Sequence, residues 1–97
     1  TIEKTYELSR EGLSIKEIAK TRNLATSTIT GHLESLIKEG RDVVIDRLIE
    51  PTKRNTIEEM FLTLKTWHTG PIVEHSKGTV SYDEAKLVRA YVQQKQS

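Results

Sequence analysis

The sequence predicts an all-α chain in two halves: a three-helix half over residues 1–41 and a second small helical half over residues 56–95, together one domain of 97 residues. Three observations predict it. Ser/Thr-x-x-Glu boxes recur at Ser14 with Glu17, Thr56 with Glu59 and Ser81 with Glu84. In such a box the hydroxyl accepts from the amide three residues on, and the carboxylate reaches back to the cap's own amide. Each box precedes apolar residues at helical spacing. Residues that stop helices, Gly12, Asn23 and Gly40, punctuate the first half.

The elements follow in order. A first helix is expected over residues 2–11, with Ile2 and Tyr6 on its inner face and Gly12 as its stop. A second is expected over 15–21, with Ile15, Ile18 and Ala19 inward. Asn23 tolerates a left-handed backbone and suits the turn after it. A third is expected over 27–39, where Ile29, Leu33, Leu36 and Ile37 form one apolar stripe. Val43, Val44 and Ile45 are β-branched and favour an extended piece. Asp46 is then placed to cap a short helix through Arg47 to Ile49. Pro51 and the polar residues after it read as a connector. A helix over 57–67 is expected to put Ile57, Met60, Phe61, Leu64 and Trp67 on one side, with Trp67 in the core. Gly70-Pro71 reads as a break and residues 72–79 as irregular. A last helix is expected over 82–94, with Ala85, Val88 and Val92 aligned and a fraying tail. The two halves show no convincing sequence repeat.

Composition narrows the function. Hydrophobic residues make up 35% of the chain and charged residues 30%. That apolar share is below the globular average, so the core must be thin. The net charge is +1. A free-standing nucleic-acid domain is usually more basic, so any DNA binding is expected to be local and modest. The absence of cysteine excludes disulfides and thiolate metal sites. No apolar run approaches the length of a membrane span and no signal-peptide pattern appears, so the expected location is the cytoplasm. The chain opens on Thr1 rather than Met, and the expectation is a piece of a longer protein.

Residues 13–40 meet the demands of a helix-turn-helix. Ala19 is small where the second helix of the pair crosses the first. Asn23 serves the turn, Leu24 follows as an apolar plug, and Ile29 and Leu33 face back. Short polar side chains stand at the start of the second helix, the end that enters a major groove in this motif. The candidate DNA-binding residues are Lys16, Arg22, Thr26, Ser27, Thr28, Thr30 and His32. Hydroxyls and free N-terminal amides bind phosphate, helped by the helix dipole. Lys20, Lys38 and Arg41 are placed to add charge, giving five cations against three anions over residues 13–41. No Arg or Asn lies between Thr26 and His32, so contact is expected through backbone and shape rather than bidentate base reading. From the residues alone a second reading stays open: a docking or purely structural three-helix module, in which the Ser/Thr cluster only caps a helix.

Other residues carry less. His32, His68 and His75 have no recognised metal spacing. Glu58-Glu59 and Asp83-Glu84 are neighbours that point different ways on a helix, better suited to helix N-termini than to acid–base work. No catalytic residue, metal or cofactor is expected, and no small-molecule substrate. Arg89 and Lys86 read as a solvated face. Trp67 could also stack on an unpaired base.

The stretch "GLSIKEIAKTRNLATSTITGHLESLIKEG" resembles the helix-turn-helix of LuxR-type transcription regulators. It is still more similar to the C-terminal helix-turn-helix domain of RecQ-type DNA helicases. The later segments "TIEEMFLTL" and "GPIVEHSKGTVSYDEAKLVRAY" favour the helicase tail, because a LuxR-type domain ends sooner and "SYDEAKLVRA" is similar to the closing pattern of the tail domain. That resemblance covers nearly the whole chain. It implies an accessory DNA-binding domain whose partners are DNA and the helicase core of the same chain. No GxxxxGK[ST] phosphate loop is present, so this piece is not expected to hydrolyse ATP. The alternatives are a sequence-specific regulator, which predicts a dimer on a palindromic site, and a protein-docking module with an exposed patch at Phe61 or Trp67.

Overall fold

A computed structural model describes residues 1–96, which form six α-helices and no strand. They are α1 (Ile2–Arg10), α2 (Ile15–Arg22), α3 (Thr26–Lys38), α4 (Pro51–Leu64), α5 (Thr69–His75) and α6 (Tyr82–Gln96).

Local chemistry explains the first three. Helix α1 ends before Gly12, which takes a φ of +92°. Its best buried residues are Thr5, Leu8 and Ser9, while Ile2 and Tyr6 pack at the edge of the core. The Ser14–Glu17 box starts α2: the Ser14 hydroxyl accepts from the Glu17 amide at 3.2 Å and the Ser14 amide donates to the Glu17 carboxylate at 2.8 Å. Asn23, with φ 55° and ψ 47°, ends α2 in the left-handed region, and the Leu24 amide returns to the Ala19 carbonyl at 2.9 Å. Leu24 itself is 38% exposed, so it covers the turn from outside rather than plugging the core. On α3, Ile29, Leu33, Leu36 and Ile37 are buried as one stripe.

The middle of the chain departs from the sequence expectation. A 3-10 turn covers Ile45–Arg47, earlier than expected, with Ile45 and Ile49 buried. Helix α4 starts at Pro51 and not at residue 57. A proline at the first helical position loses nothing, since its missing N–H would have no partner there and its fixed φ already suits the helix. The supposed Thr56–Glu59 cap is therefore inside a helix, where the Thr56 hydroxyl donates back to the Thr52 carbonyl at 3.0 Å. Arg54 fixes this start, reaching Asp46 at 2.8 Å and Glu58 at 3.2 Å. Lys65, in the left-handed region, ends α4 before Trp67 is reached. Gly70-Pro71 is likewise not a break but the first turn of α5, which extends into the region expected to be irregular.

Helix α6 opens with the Ser81–Glu84 box, complete in both directions at 3.1 and 3.0 Å. It continues to Gln96, beyond the expected fraying point; Ser97 lies outside the described residues. Ala85, Leu87, Val88, Ala90 and Val92 are buried around much of its circumference. It lies against α3, α4 and α5, while α1 and α2 pack on the other side of α3. One buried cluster runs from Leu8 in α1 to Val92 in α6. Both halves therefore share their apolar surface, and we expect Ile57→Ala, which empties a fully buried site on α4, to cost about 2–5 kcal/mol. Denaturation followed by circular dichroism should show that loss in one transition; two resolved transitions would mean that α6 does not couple the halves.

Candidate nucleic-acid interface

Helix α3 offers solvent the face opposite its buried stripe. Ser27, Thr28 and Lys38 are exposed and Gly31 and Ser35 half-buried along that face. Lys38 was expected from sequence to add charge; Gly31 and Ser35 were not singled out, although their spacing from Ser27 places them on the same side of the helix. Gly31 has no packing reason to lack a side chain, because a Cβ there would meet nothing within 4 Å. A mid-helix glycine costs roughly 0.5–1 kcal/mol relative to alanine. What it provides is a helix backbone open to close approach.

The start of α3 has no side-chain cap. Ala25 occupies the cap position and has no side-chain acceptor, and the first turn contains no carboxylate. The ladder begins with the Thr28 and Ile29 amides, both reaching the Ala25 carbonyl. The amides ahead of them are among those a helix leaves unsatisfied. By contrast the starts of α2 and α6 are closed by their own glutamates.

The seven residues proposed from sequence separate into three groups. Thr26, Ser27 and Thr28 are exposed at the start of α3. Lys16 joins them, since it lines a cleft of about 460 Å³ together with Thr26. Asp83 and Glu84 form another wall of that cleft, so a phosphate is better received on the Ser27–Thr28 side. Arg22 and His32 belong to a different network, at α1. Arg22 Nη1 donates to the Thr5 hydroxyl at 2.7 Å, and Thr5 Oγ1 lies 3.0 Å from His32 Nδ1. The hydroxyl accepts from Arg22, so its own proton is free for His32 Nδ1, and the neutral ring then carries its proton on Nε2. Burial holds the His32 pKa below the usual 6.5, and the Arg22 charge adds to this. Thr30 does not reach the surface. It is 1% exposed and its hydroxyl finds no partner. It lies one turn after Thr26, on the side of Leu33 and Ile37, and the expectation that it faces DNA is corrected here.

The surrounding charges are similarly sorted. Arg41 is held by Glu3 at 2.7 and 3.1 Å and stacks 4.3 Å over the Tyr6 ring, so it braces α1 instead of pointing away. Lys16, Lys20 and Lys38 have no ion pair among the described residues. Glu34, beside the open face, is met by Arg89 at 3.4 Å.

The family model that matches the chain is a helix-turn-helix domain, aligned over residues 1–89. Neither the search of curated proteins nor that of solved structures finds a match. No helix among the described residues is long and apolar enough to cross a membrane.

The His32 network makes a pH prediction. Folding favours the neutral ring, so its contribution is complete above the unfolded value of about 6.5 and is lost as pH falls through the lower folded value. Glu3, Glu17 and Glu84 are held below their usual 4.5 and lose their contribution only in stronger acid. The denaturation midpoint should therefore fall between about pH 7.5 and pH 5.5, and His32→Gln should flatten that fall. An unchanged slope in the variant would assign the pH dependence elsewhere.

Proposed function

The chain belongs to the helix-turn-helix domain family, and from that premise we propose that it is an accessory DNA-binding domain of a RecQ-like, ATP-dependent helicase, gripping DNA through backbone and shape. One observation carries the DNA reading: the start of α3 is exposed, uncapped by any side chain and without a carboxylate in its own first turn, with the Thr26, Ser27 and Thr28 hydroxyls around it. Such an end donates amides and partial positive charge to an anion. Lys16 stands beside this end, and Lys20 on α2 and Lys38 at the far end of α3, likewise without ion pairs among the described residues, add charge. Gly31 and Ser35 keep the rest of the face low, so that a strand can lie close to the helix.

The same face explains why sequence reading is weak. It holds hydroxyls, one lysine and the Arg89-paired Glu34, but none of the Arg, Asn or Gln side chains that make bidentate contacts to a base pair. Arg22 is occupied at Thr5. The contacts are thus to phosphate, which position the protein without identifying bases. The helicase setting rests on the similarity of "SYDEAKLVRA" and its neighbouring segments to the helicase tail. ATP hydrolysis would then reside in the motor, since this chain has no phosphate loop.

Fluorescence anisotropy with labelled duplex at about 50 and 200 mM salt tests the grip. Two to four phosphate contacts predict a log–log salt slope of roughly −2 to −4. Thr28→Glu and Lys16→Ala should each weaken binding, and a slope near zero would overturn the reading. Arg22 is a poor test residue because its loss also disturbs Thr5 and His32. The helicase setting predicts that the longer protein hydrolyses ATP when DNA is present. Removing this domain should raise the DNA concentration needed for half-maximal ATPase activity and leave the saturated rate unchanged; a protein without DNA-stimulated ATPase activity would refute it.

A further inference from the structure

The expectation that Trp67 is buried in the core fails, and its actual position defines a second surface. Helix α4 stops at Leu64, so Trp67 falls in the connection to α5, where it is 38% exposed. Its ring leans on the buried Phe61, with centroids 5.6 Å apart and planes tilted by 34°. The two rings border a groove of about 580 Å³ whose other walls are Leu62, Lys65, Thr66 and His68. Leu62 is 62% exposed. No carboxylate lines the groove, and Lys65 has no ion pair among the described residues.

This surface also adjoins the proposed DNA-binding helix. Arg89 reaches from α6 to both: its Nη1 donates to the Trp67 carbonyl at 3.2 Å and its Nη2 to the Glu34 carboxylate on α3 at 3.4 Å. One guanidinium thus fastens the Trp67 loop beside the flank of α3.

We infer that this groove binds an unpaired nucleotide of single-stranded or forked DNA, the base stacking on Trp67 and the phosphate meeting Lys65. The inference rests on the DNA-binding reading and adds the kind of DNA recognised. The groove joins a flat apolar surface to a positive rim, and a nucleotide joins a flat base to a negative phosphate. An indole backed by a buried ring is held ready for stacking, which is favourable for any base and needs no sequence match. A duplex lying on α3 would then extend its unpaired strand towards the α4–α5 connection, and the domain would favour junctions over continuous duplex.

Trp67 is the single tryptophan of the sequence, so its fluorescence reports on this groove. We would titrate the chain with an oligothymidine strand, an abasic strand of equal length, a blunt duplex and a forked duplex. Quenching by the oligothymidine and the fork, with little from the abasic strand or blunt duplex, is the expected result. Trp67→Leu, followed by anisotropy, should weaken oligothymidine binding about fivefold or more. Trp67 also packs on Phe61, so Lys65→Gly provides a second variant. Lys65 takes a left-handed backbone, with φ 52°, which glycine adopts without strain. That variant should fold at least as stably and still bind the strand more weakly. Equal affinity for abasic and base-bearing strands, or unchanged affinity in both variants, would overturn the inference. Blunt-duplex binding that depends on Thr28, with Trp67 silent throughout, would reject this groove and leave the α3 grip standing. Quenching by the strand with no duplex binding would reject the α3 grip instead. A Trp67 that answers to no DNA would leave the groove to a protein partner and refute the proposal.

Discussion

Burial of α3 from two sides is the constraint on which the rest of the domain depends. Its stripe of Ile29, Leu33, Leu36 and Ile37 is too wide to be covered by α1 and α2 alone, and α6 supplies the remaining cover. Alanines at 85 and 90, both fully buried, give α6 a close approach to its neighbours. The apolar residues of α6 also face α4 and α5, so the helix that completes the first half is the centre of the second. A chain with only 35% hydrophobic residues makes one core this way by using each buried helix twice.

That packing determines what α3 can present. With both flanks covered, only a narrow strip from Ser27 and Thr28 through Gly31 and Ser35 to Lys38 remains open. Its side chains are short, so the strip is suited to close contact and poorly suited to reading base edges, which requires longer polar side chains. Thr30 illustrates the limit. A hydroxyl one turn along from Thr26 is already under the packing, at the cost of an unpaired polar atom.

What could be read from the sequence was local. The Ser14–Glu17 and Ser81–Glu84 boxes act within four residues, and both formed. Asn23 similarly carries its turn in its own backbone preference. Thr56–Glu59 has the same chemistry and did not form, because Pro51 had already begun the helix and taken Thr56 inside it. Proline stops a helix in its interior and starts one at its first turn, so Pro51 and Pro71 could not be interpreted without knowing where their helices lay. Among candidate site residues, Thr26 to Thr28 were legible from their place at the helix start. The roles of Arg22 and His32 were not, since Thr5 meets them across a chain separation of 27 residues for His32. Trp67 was misplaced for a similar reason: helical spacing continues through it in the sequence, but the left-handed Lys65 ends the helix first.

The near-neutral total charge conceals an uneven distribution. Glu17 and Glu84 are consumed in capping boxes, and Glu84 also meets Lys53 at 2.9 Å. Glu3 holds Arg41, Asp46 and Glu58 hold Arg54, and Glu34 is met by Arg89. Each of these anions has a fixed local partner, whereas Lys16, Lys20 and Lys38 of the first half and Lys65 beside the groove have none. Exposed charges separated by more than about 10 Å are largely screened at ordinary salt. A strand approaching α3 would therefore feel its nearest lysines and the uncapped helix end more strongly than the total of +1. Asp83, in the cleft beside Thr26, and Glu39, next to Lys38, have no ion pair among the described residues, so the positive potential is local to individual lysines and the helix end rather than spread over a whole face.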